Sequence, residues 1–266
     1  MLNRAAVLGL PVSHSLSPVM HSAGYTAAGL DGWRYTAVDC AEAELAGFVE
    51  GLDETWRGLS LTMPLKEVAL EVADRVDPLA TALGAANTLV RGPDGWTAYN
   101  TDAPGITDAL TTAGAERAAR MAVLGGGGTA RAALGAAVDL GAEVTVYVRR
   151  PEAGEDLRPV AHALGVPMTV ETWGRAADAA AYDVVISTVP KGGADALAVA
   201  AWSAPTVVFD VVYDPWPTPL AEAARRAGCP IVSGLDLLLA QGVRQFELFT
   251  GTPAPVEPMR AALLNR

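Results

Sequence analysis

Lysine is the rarest charged residue in this 266-residue chain: of nineteen basic side chains, two are lysines, Lys66 and Lys191, and seventeen are arginines. Guanidinium stays protonated in proteins, whereas an ammonium can be tuned to release a proton, so Lys66 in SLTMPLKE is a candidate for proton transfer. The alternative is a solvated lysine opening a helix. A second signal is GGGGTARA, in which Gly125, Gly127 and Ala130 satisfy GxGxxA between the apolar run MAVL and an alanine-rich stretch. Glycines at such a strand-to-helix turn let backbone approach a pyrophosphate seated on helical N–H groups, unless they only relieve crowding within the protein. The next expected strand ends in Val148-Arg149-Arg150, where an NAD site would place a carboxylate. Two guanidiniums there suit a 2′-phosphate, so the expected cofactor is NADP; the alternative is a solvent-facing pair. Lys191, in STVPKGG after a later strand, either flanks the cofactor or belongs to a mobile loop.

Small polar clusters mark a second binding region. SHSLSPVMH reads as a helix start with Ser17 at the N-cap and Pro18 at N1, and the hydroxyls of Ser15 and Ser17 beside a helix N-terminus suit a carboxylate. Asn87 and Thr88 in GAANT, and Asn100, Thr101 and Asp102 in YNTDAPG, bring polar groups to strand ends, where ligands of parallel sheets bind. Turn chemistry alone would also place Asn, Asp and Thr there.

The elements that must position these residues alternate between apolar runs and helical stretches, the pattern of βα repetition and a mostly parallel sheet. Strands are expected at 5–10, 34–38, 58–62 and 86–91, with helices at 18–29, 41–52, 66–75 and 78–84 and with Gly29 and Gly84 as helix stops. A second strand set is expected at 121–124, 144–148, 168–171, 184–187, 206–210 and 230–232, followed by one or two C-terminal helices. The change between the two sets lies near 102–120, and a cleft closed by hinge motion is expected at their junction. Apolar content of 51% is ample for two cores, and a net charge of −11 argues against a nucleic-acid surface. Cys40 and Cys229 show no metal spacing, no stretch has the length of a membrane span, and the N-terminal apolar run, broken by Pro11, is too short for a signal peptide. A cytoplasmic protein with reduced thiols and no metal is the expectation.

Seven strings in order, SHSLSP, SLTMPLK, GAANT, NTD, GGGGTARA, DVVYDPWPTPL and SGLDLLLAQG, together resemble the shikimate dehydrogenase family over nearly the whole chain. The resemblance implies a two-domain α/β fold. Residues 1–102 and 238–266 would form a mostly parallel α/β substrate domain and 103–237 a Rossmann-type NADP-binding domain, with the chain's C-terminal helices returning to the first. It implies NADPH-dependent reversible reduction of 3-dehydroshikimate to shikimate in aromatic amino-acid biosynthesis. The alternatives are a quinate/shikimate dehydrogenase tolerating NAD and a catalytically silent NADP-binding regulator. By resemblance Lys66 and Asp102 form the catalytic pair, and Ser15, Ser17, Thr62, Asn87, Asp102, Tyr213 and Gln241 hold the substrate. Gly125, Gly126, Gly127, Gly128, Thr129, Arg149 and Arg150 hold NADP, with Val211 and Gly234 lining the nicotinamide pocket. The partner is the small-molecule substrate, without nucleic acid or membrane, and the protein is a monomer or homodimer. Three departures stand out: Ser60-Leu61 replaces the family's usual asparagine before Thr62, NTDG reads NTDA, and the usual NRT reads Val148-Arg149-Arg150.

Overall fold

The computed structural model describes residues 2–265. The chain divides into two compact units, one running up to Thr101 and resuming at Leu238, the other spanning Asp102–Leu237.

The first unit opens with β1 (Asn3–Gly9), α1 (Ser17–Ala27), β2 (Trp33–Asp39), α2 (Leu45–Glu50) and β3 (Trp56–Leu61). It continues through α3 (Ala69–Val72), β4 (Arg75–Val76), α4 (Pro78–Leu83), β5 (Thr88–Gly92) and β6 (Gly95–Tyr99). The six strands form one sheet in the order β2-β1-β3-β5-β6-β4. Only β5 runs against the rest, pairing antiparallel with both β3 and β6. Strand β1 is buried on both faces, and its alternation splits the core: Ala6 and Leu8 pack in one cluster with Leu59 and Leu89, while Ala5 and Val7 pack in another with Met20 and Phe246.

Two features depart from expectation. The helix expected at 66–75 is confined to Ala69–Val72, although Leu65, Val68, Ala69 and Val72 carry a helical apolar spacing. The Lys66 carbonyl is taken by Ala86 N at 2.7 Å, so Leu70 N bonds Glu67 O instead of closing a helical turn on Lys66. Strands β4 and β6 were not expected at all. Gly92-Pro93-Asp94-Gly95 is the turn that makes β6, with Gly92 paired to Gly95 and Gly95 at φ +105°.

The second unit contains α5 (Asp102–Thr112), β7 (Arg120–Leu124), α6 (Gly128–Leu140), β8 (Glu143–Val148), α7 (Pro151–Glu155) and α8 (Arg158–Leu164). It ends with β9 (Met168–Thr172), β10 (Val184–Ser187), β11 (Val207–Asp210), α9 (Pro219–Arg226) and β12 (Ile231–Ser233). Its six strands are all parallel in the order β12-β11-β10-β7-β8-β9. Numbered along the unit this is the doubly wound order 3-2-1-4-5-6, whose crevice opens between the loops after the first and fourth strands. Strands β10 and β11 are fully buried runs, VVIS and VVFD, as strands covered by helices on both faces must be.

Two helices complete the chain, α10 (Gly234–Thr250) and α11 (Val256–Leu264). From Leu238 onward α10 belongs to the first unit, where Leu239, Phe246 and Phe249 join the core built on α1 and β2. No helix among the described residues is long and apolar enough to cross a membrane.

The approach of α10 to the sheet is set by Gly58 on β3, since a Cβ there would lie 2.0 Å from Phe249 Cδ1. Gly58→Ala is expected to lower stability by about 1–3 kcal/mol through overpacking. Gly47→Ala, on α2 with nothing within 4 Å of the added carbon, should instead be neutral or raise it by up to about 1 kcal/mol. Urea unfolding of both variants measures the difference.

Candidate active site

One edge of the first sheet collects the polar residues. Strands β1, β3 and β6 end there, and β5, being reversed, begins there. Thr62 follows β3 and bonds through its amide to Leu8 O at 2.9 Å; Lys66, half-buried, follows in the turn. Because Ala86 N bonds Lys66 O, and Leu61 N bonds Asn87 O at 2.7 Å, the Lys66 segment is tied to the segment that carries Asn87.

Asn87 is 3% exposed, and its Oδ1 accepts from Thr101 N at 2.7 Å, Thr88 Oγ1 at 2.9 Å and Thr101 Oγ1 at 3.1 Å. Its Nδ2 donates to Thr101 Oγ1 at 3.0 Å and to Gln241 Oε1 at 3.5 Å. Asn100 Nδ2 donates to Ala85 O at 2.9 Å, so the residues after β6 and before β5 form one hydrogen-bonded group. Asp102 comes next as the first residue of α5, where a carboxylate is favoured by the positive end of the helix.

Ser17 is not the N-cap of α1. It is the first helical residue, Leu16 holds the cap position, and Ser15 Oγ accepts from Ser17 N at 3.3 Å. The Ser15 hydroxyl therefore meets one amide at the helix start, and Ser17 is buried.

Sequence reasoning missed two members of this region, Ser60 and Gln245. Ser60 lies on β3 and donates to Gln245 Oε1 of α10 at 2.6 Å. The available signal was the spacing of Gln241 and Gln245, which at i and i+4 share one face of the helix.

In the second unit the glycine-rich turn follows β7. Gly125 has φ +109°, and a Cβ on it would meet Thr188 Oγ1 at 2.6 Å; one on Gly126 would meet Ala153 O at 2.7 Å. Both are glycines for reasons internal to the protein. Gly127 differs, with φ −91° and nothing within 4 Å of an added Cβ. Neither backbone nor neighbours require a glycine there, so the open space in front of it suits a bound group that approaches the backbone. No side chain caps the α6 N-terminus, where Gly128 and Thr129 lie.

Arg149 and Arg150 follow β8, both exposed. Arg149 stacks over Trp173 at 5.1 Å and donates to Gly193 O at 3.0 Å, which holds its guanidinium beside the Lys191 loop. Lys191 is exposed. Val211 and Tyr213 lie on the loop after β11, anchored by buried Asp210, which accepts from Thr218 Oγ1 at 2.7 Å and Val212 N at 3.2 Å. Burial raises the Asp210 pKa from its ordinary value, against the lowering effect of its hydrogen bonds. Gly234 is required sterically, as a Cβ would lie 2.0 Å from Val211 O.

Beneath the polar edge of the first unit, His21 of α1 is fully buried and stacked on Tyr35 at 4.3 Å and 3°. Neither ring nitrogen makes a hydrogen bond of acceptable geometry, although Gln245 adjoins the ring. Burial pushes its pKa down to about 3.

Residues 7–89 match the family model for the shikimate dehydrogenase substrate binding domain, and residues 234–264 match that for the shikimate 5′-dehydrogenase C-terminal domain. Residues 95–207 match the model for the alanine dehydrogenase/PNT C-terminal domain. A protein named shikimate dehydrogenase (NADP(+)) from Anaeromyxobacter dehalogenans is 41% identical over 267 residues, spanning 98% of this chain and 95% of its own. The crystal structure of Mycobacterium tuberculosis shikimate dehydrogenase superposes with a TM-score of 0.90 at 43% identity, covering 99% of this chain and 100% of that one. That of shikimate 5-dehydrogenase from Thermus thermophilus, in complex with shikimate, gives 0.85 at 32% identity and covers 100% and 98%.

The buried histidine makes stability depend on pH. Below the unfolded value of 6.5 the unfolded chain takes a proton that the folded one refuses until about pH 3, so stability is complete above 6.5 and is lost as pH falls through that window. At pH 4.5 wild type is expected to have lost about 2–3 kcal/mol more, relative to pH 7.5, than His21→Phe, which keeps the ring stack without the titration. Denaturant unfolding at the two pH values measures it.

Proposed function

The chain belongs to the shikimate dehydrogenase family, and from that premise we propose how its own residues carry the reaction. The activity is the NADP-dependent, reversible interconversion of 3-dehydroshikimate and shikimate, a step of aromatic amino-acid biosynthesis. The observation that carries the site assignment is the grouping of Thr62, Lys66, Asn87 and Gln241 at one sheet edge, tied by the Ala86–Lys66 and Asn87–Gln241 bonds.

The residues present fit the cofactor. Its pyrophosphate would rest on the turn from Gly125 to Thr129, in the space before Gly127. The 2′-phosphate would meet Arg149, with Arg150 beside it, and Val211 and Gly234 would line the nicotinamide pocket. When bound, NADPH supplies hydride to the ketone carbon. The ketone oxygen then gathers negative charge, and Lys66 gives it a proton in the reduction and takes one in the reverse direction. Asp102 acts with Lys66 as its carboxylate partner, and the amine left after each reduction regains its proton from solvent. Ser15 and Ser17, at the start of α1, hold the substrate carboxylate. Thr62, Asn87, Tyr213 and Gln241 hold its hydroxyls. Substrate is the only partner of the reading, acting on a monomer or homodimer in the cytoplasm, where Cys40 and Cys229, both buried and unpaired, stay reduced.

Absorbance assays crossing shikimate and quinate against NADP and NAD test the activity, with turnover expected for shikimate and NADP. Lys66→Ala should lower turnover by roughly two to four powers of ten while changing KM for shikimate little. Near-normal turnover would remove Lys66 from the mechanism. Arg149→Ala should raise KM for NADPH about tenfold or more and leave NADH kinetics untouched. Gly127→Ala should weaken NADPH binding with stability within about 0.5 kcal/mol of wild type, whereas a purely structural turn would show the reverse.

A further inference from the structure

A row of buried side chains runs beneath the Asn87 amide with a single direction of donation. Tyr35 of β2 donates to Ser60 Oγ at 2.6 Å, and Ser60 donates to Gln245 Oε1 at 2.6 Å. Gln245 Nε2 donates to Thr88 Oγ1 at 2.9 Å and to Asn87 O at 3.2 Å. The Thr88 proton in turn has Asn87 Oδ1 nearest, at 2.9 Å against 3.3 Å to Thr101 Oγ1. Tyr35, Ser60, Asn87, Thr88 and Gln245 are each at most 6% exposed. At the head of the row, burial raises the Tyr35 pKa and keeps its phenol a donor, while Ser17 adjoins the phenol oxygen.

A hydroxyl carries one proton, so each member constrains the next. Ser60 accepts from Tyr35 and must spend its own proton on Gln245, which fixes the Gln245 amide with Oε1 toward β3 and Nε2 toward β5. Thr88 accepts that N–H and directs its proton at Asn87 Oδ1. With Oδ1 also holding Thr101 N, Asn87 is left with its Nδ2 edge toward Thr101 and Gln241. Reversing any one link would leave a buried donor facing a donor. Ser60 stands where the family resemblance leads one to expect asparagine, and here the amide arrives instead from α10, as Gln245.

We propose that Gln245, acting through Thr88 and oriented by Tyr35 and Ser60, is a positioning residue that keeps the Asn87 amide nitrogen turned toward Gln241, where its long 3.5 Å bond is exchanged for one to a hydroxyl oxygen of the substrate. The inference rests on the assignment of Asn87 to substrate binding given above. Gln245 does not itself touch substrate, so its removal acts on shikimate affinity and leaves the cofactor unaffected.

The isosteric Gln245→Glu tests the direction of the row. As a carboxylic acid the new side chain can still accept from Ser60 and donate to Thr88; as a carboxylate it accepts from both and draws the Thr88 proton away from Asn87. The titratable groups beside it, His21 on α1 and Tyr35 on β2, are both held neutral by burial, as is Tyr25 next to His21. KM for shikimate is expected to be about tenfold above wild type at pH 9 and to return toward it as pH falls to 6, with KM for NADP within about twofold throughout. Tyr35→Phe, which removes one hydroxyl and tests the same row if the first variant fails to fold, should raise KM for shikimate about three- to fivefold without that pH dependence. Unchanged KM for shikimate in Tyr35→Phe, or a pH-independent KM in Gln245→Glu, would overturn the inference, even with a lowered melting temperature. Wild type failing to oxidise shikimate would overturn the functional reading instead, before any variant is compared.

Discussion

Because β5 alone runs against its neighbours, its first residues, not its last, lie at the sheet edge where β1, β3 and β6 end. The arrangement of the first unit's site follows from that reversal. It puts Asn87 between the end of β3 and the end of β6, with backbone bonds to Leu61 on one side and Tyr99 on the other. The two-residue turn at Pro93-Asp94 returns the chain at once, delivering Asn100 and Thr101 to the same edge. A parallel connection would have needed a crossover of a dozen residues or more and could not have placed two polar segments so close in sequence side by side.

The edge is then made specific by hydrogen bonds that have no access to water. Buried amides and hydroxyls are costly unless paired, by about 1–3 kcal/mol for each group left unsatisfied, so a polar cluster of this size persists only with its donors and acceptors matched. Asn87 Oδ1 with three donors is the centre of that matching. His21 marks its limit: one layer deeper, the ring is held by stacking on Tyr35 and has to stay neutral. The layer beneath the edge is therefore polar but uncharged.

In the second unit the same economy separates glycines that look alike. Gly125 and Gly126 are demanded by φ and by the proximity of Thr188 and Ala153, so the turn would exist without a ligand. Gly127 is the position whose openness has no use within the protein. Trp173 and the Gly193 carbonyl restrain the Arg149 guanidinium at the end of β8.

Apolar runs and their spacing were enough to read ten of the strands from sequence, because a strand covered on both faces has no alternative to a continuous apolar run, as in β10 and β11. The glycine-rich turn, the arginines after β8 and the unusual Lys66 were legible for the same reason: their chemistry is local. What sequence left open was decided by partners distant along the chain. The Lys66 segment carries a helical pattern but is held as a turn by Ala86, and β6 pairs only because β5 is reversed. Gln245 lies 157 residues from Thr88 and 185 from Ser60, and its amide acquires a direction only when β2, β3, β5 and α10 are packed around it. Residue types fixed which groups can donate or accept; tertiary structure alone decided which way each one points, since a hydroxyl or amide takes its orientation from its neighbours once water is excluded.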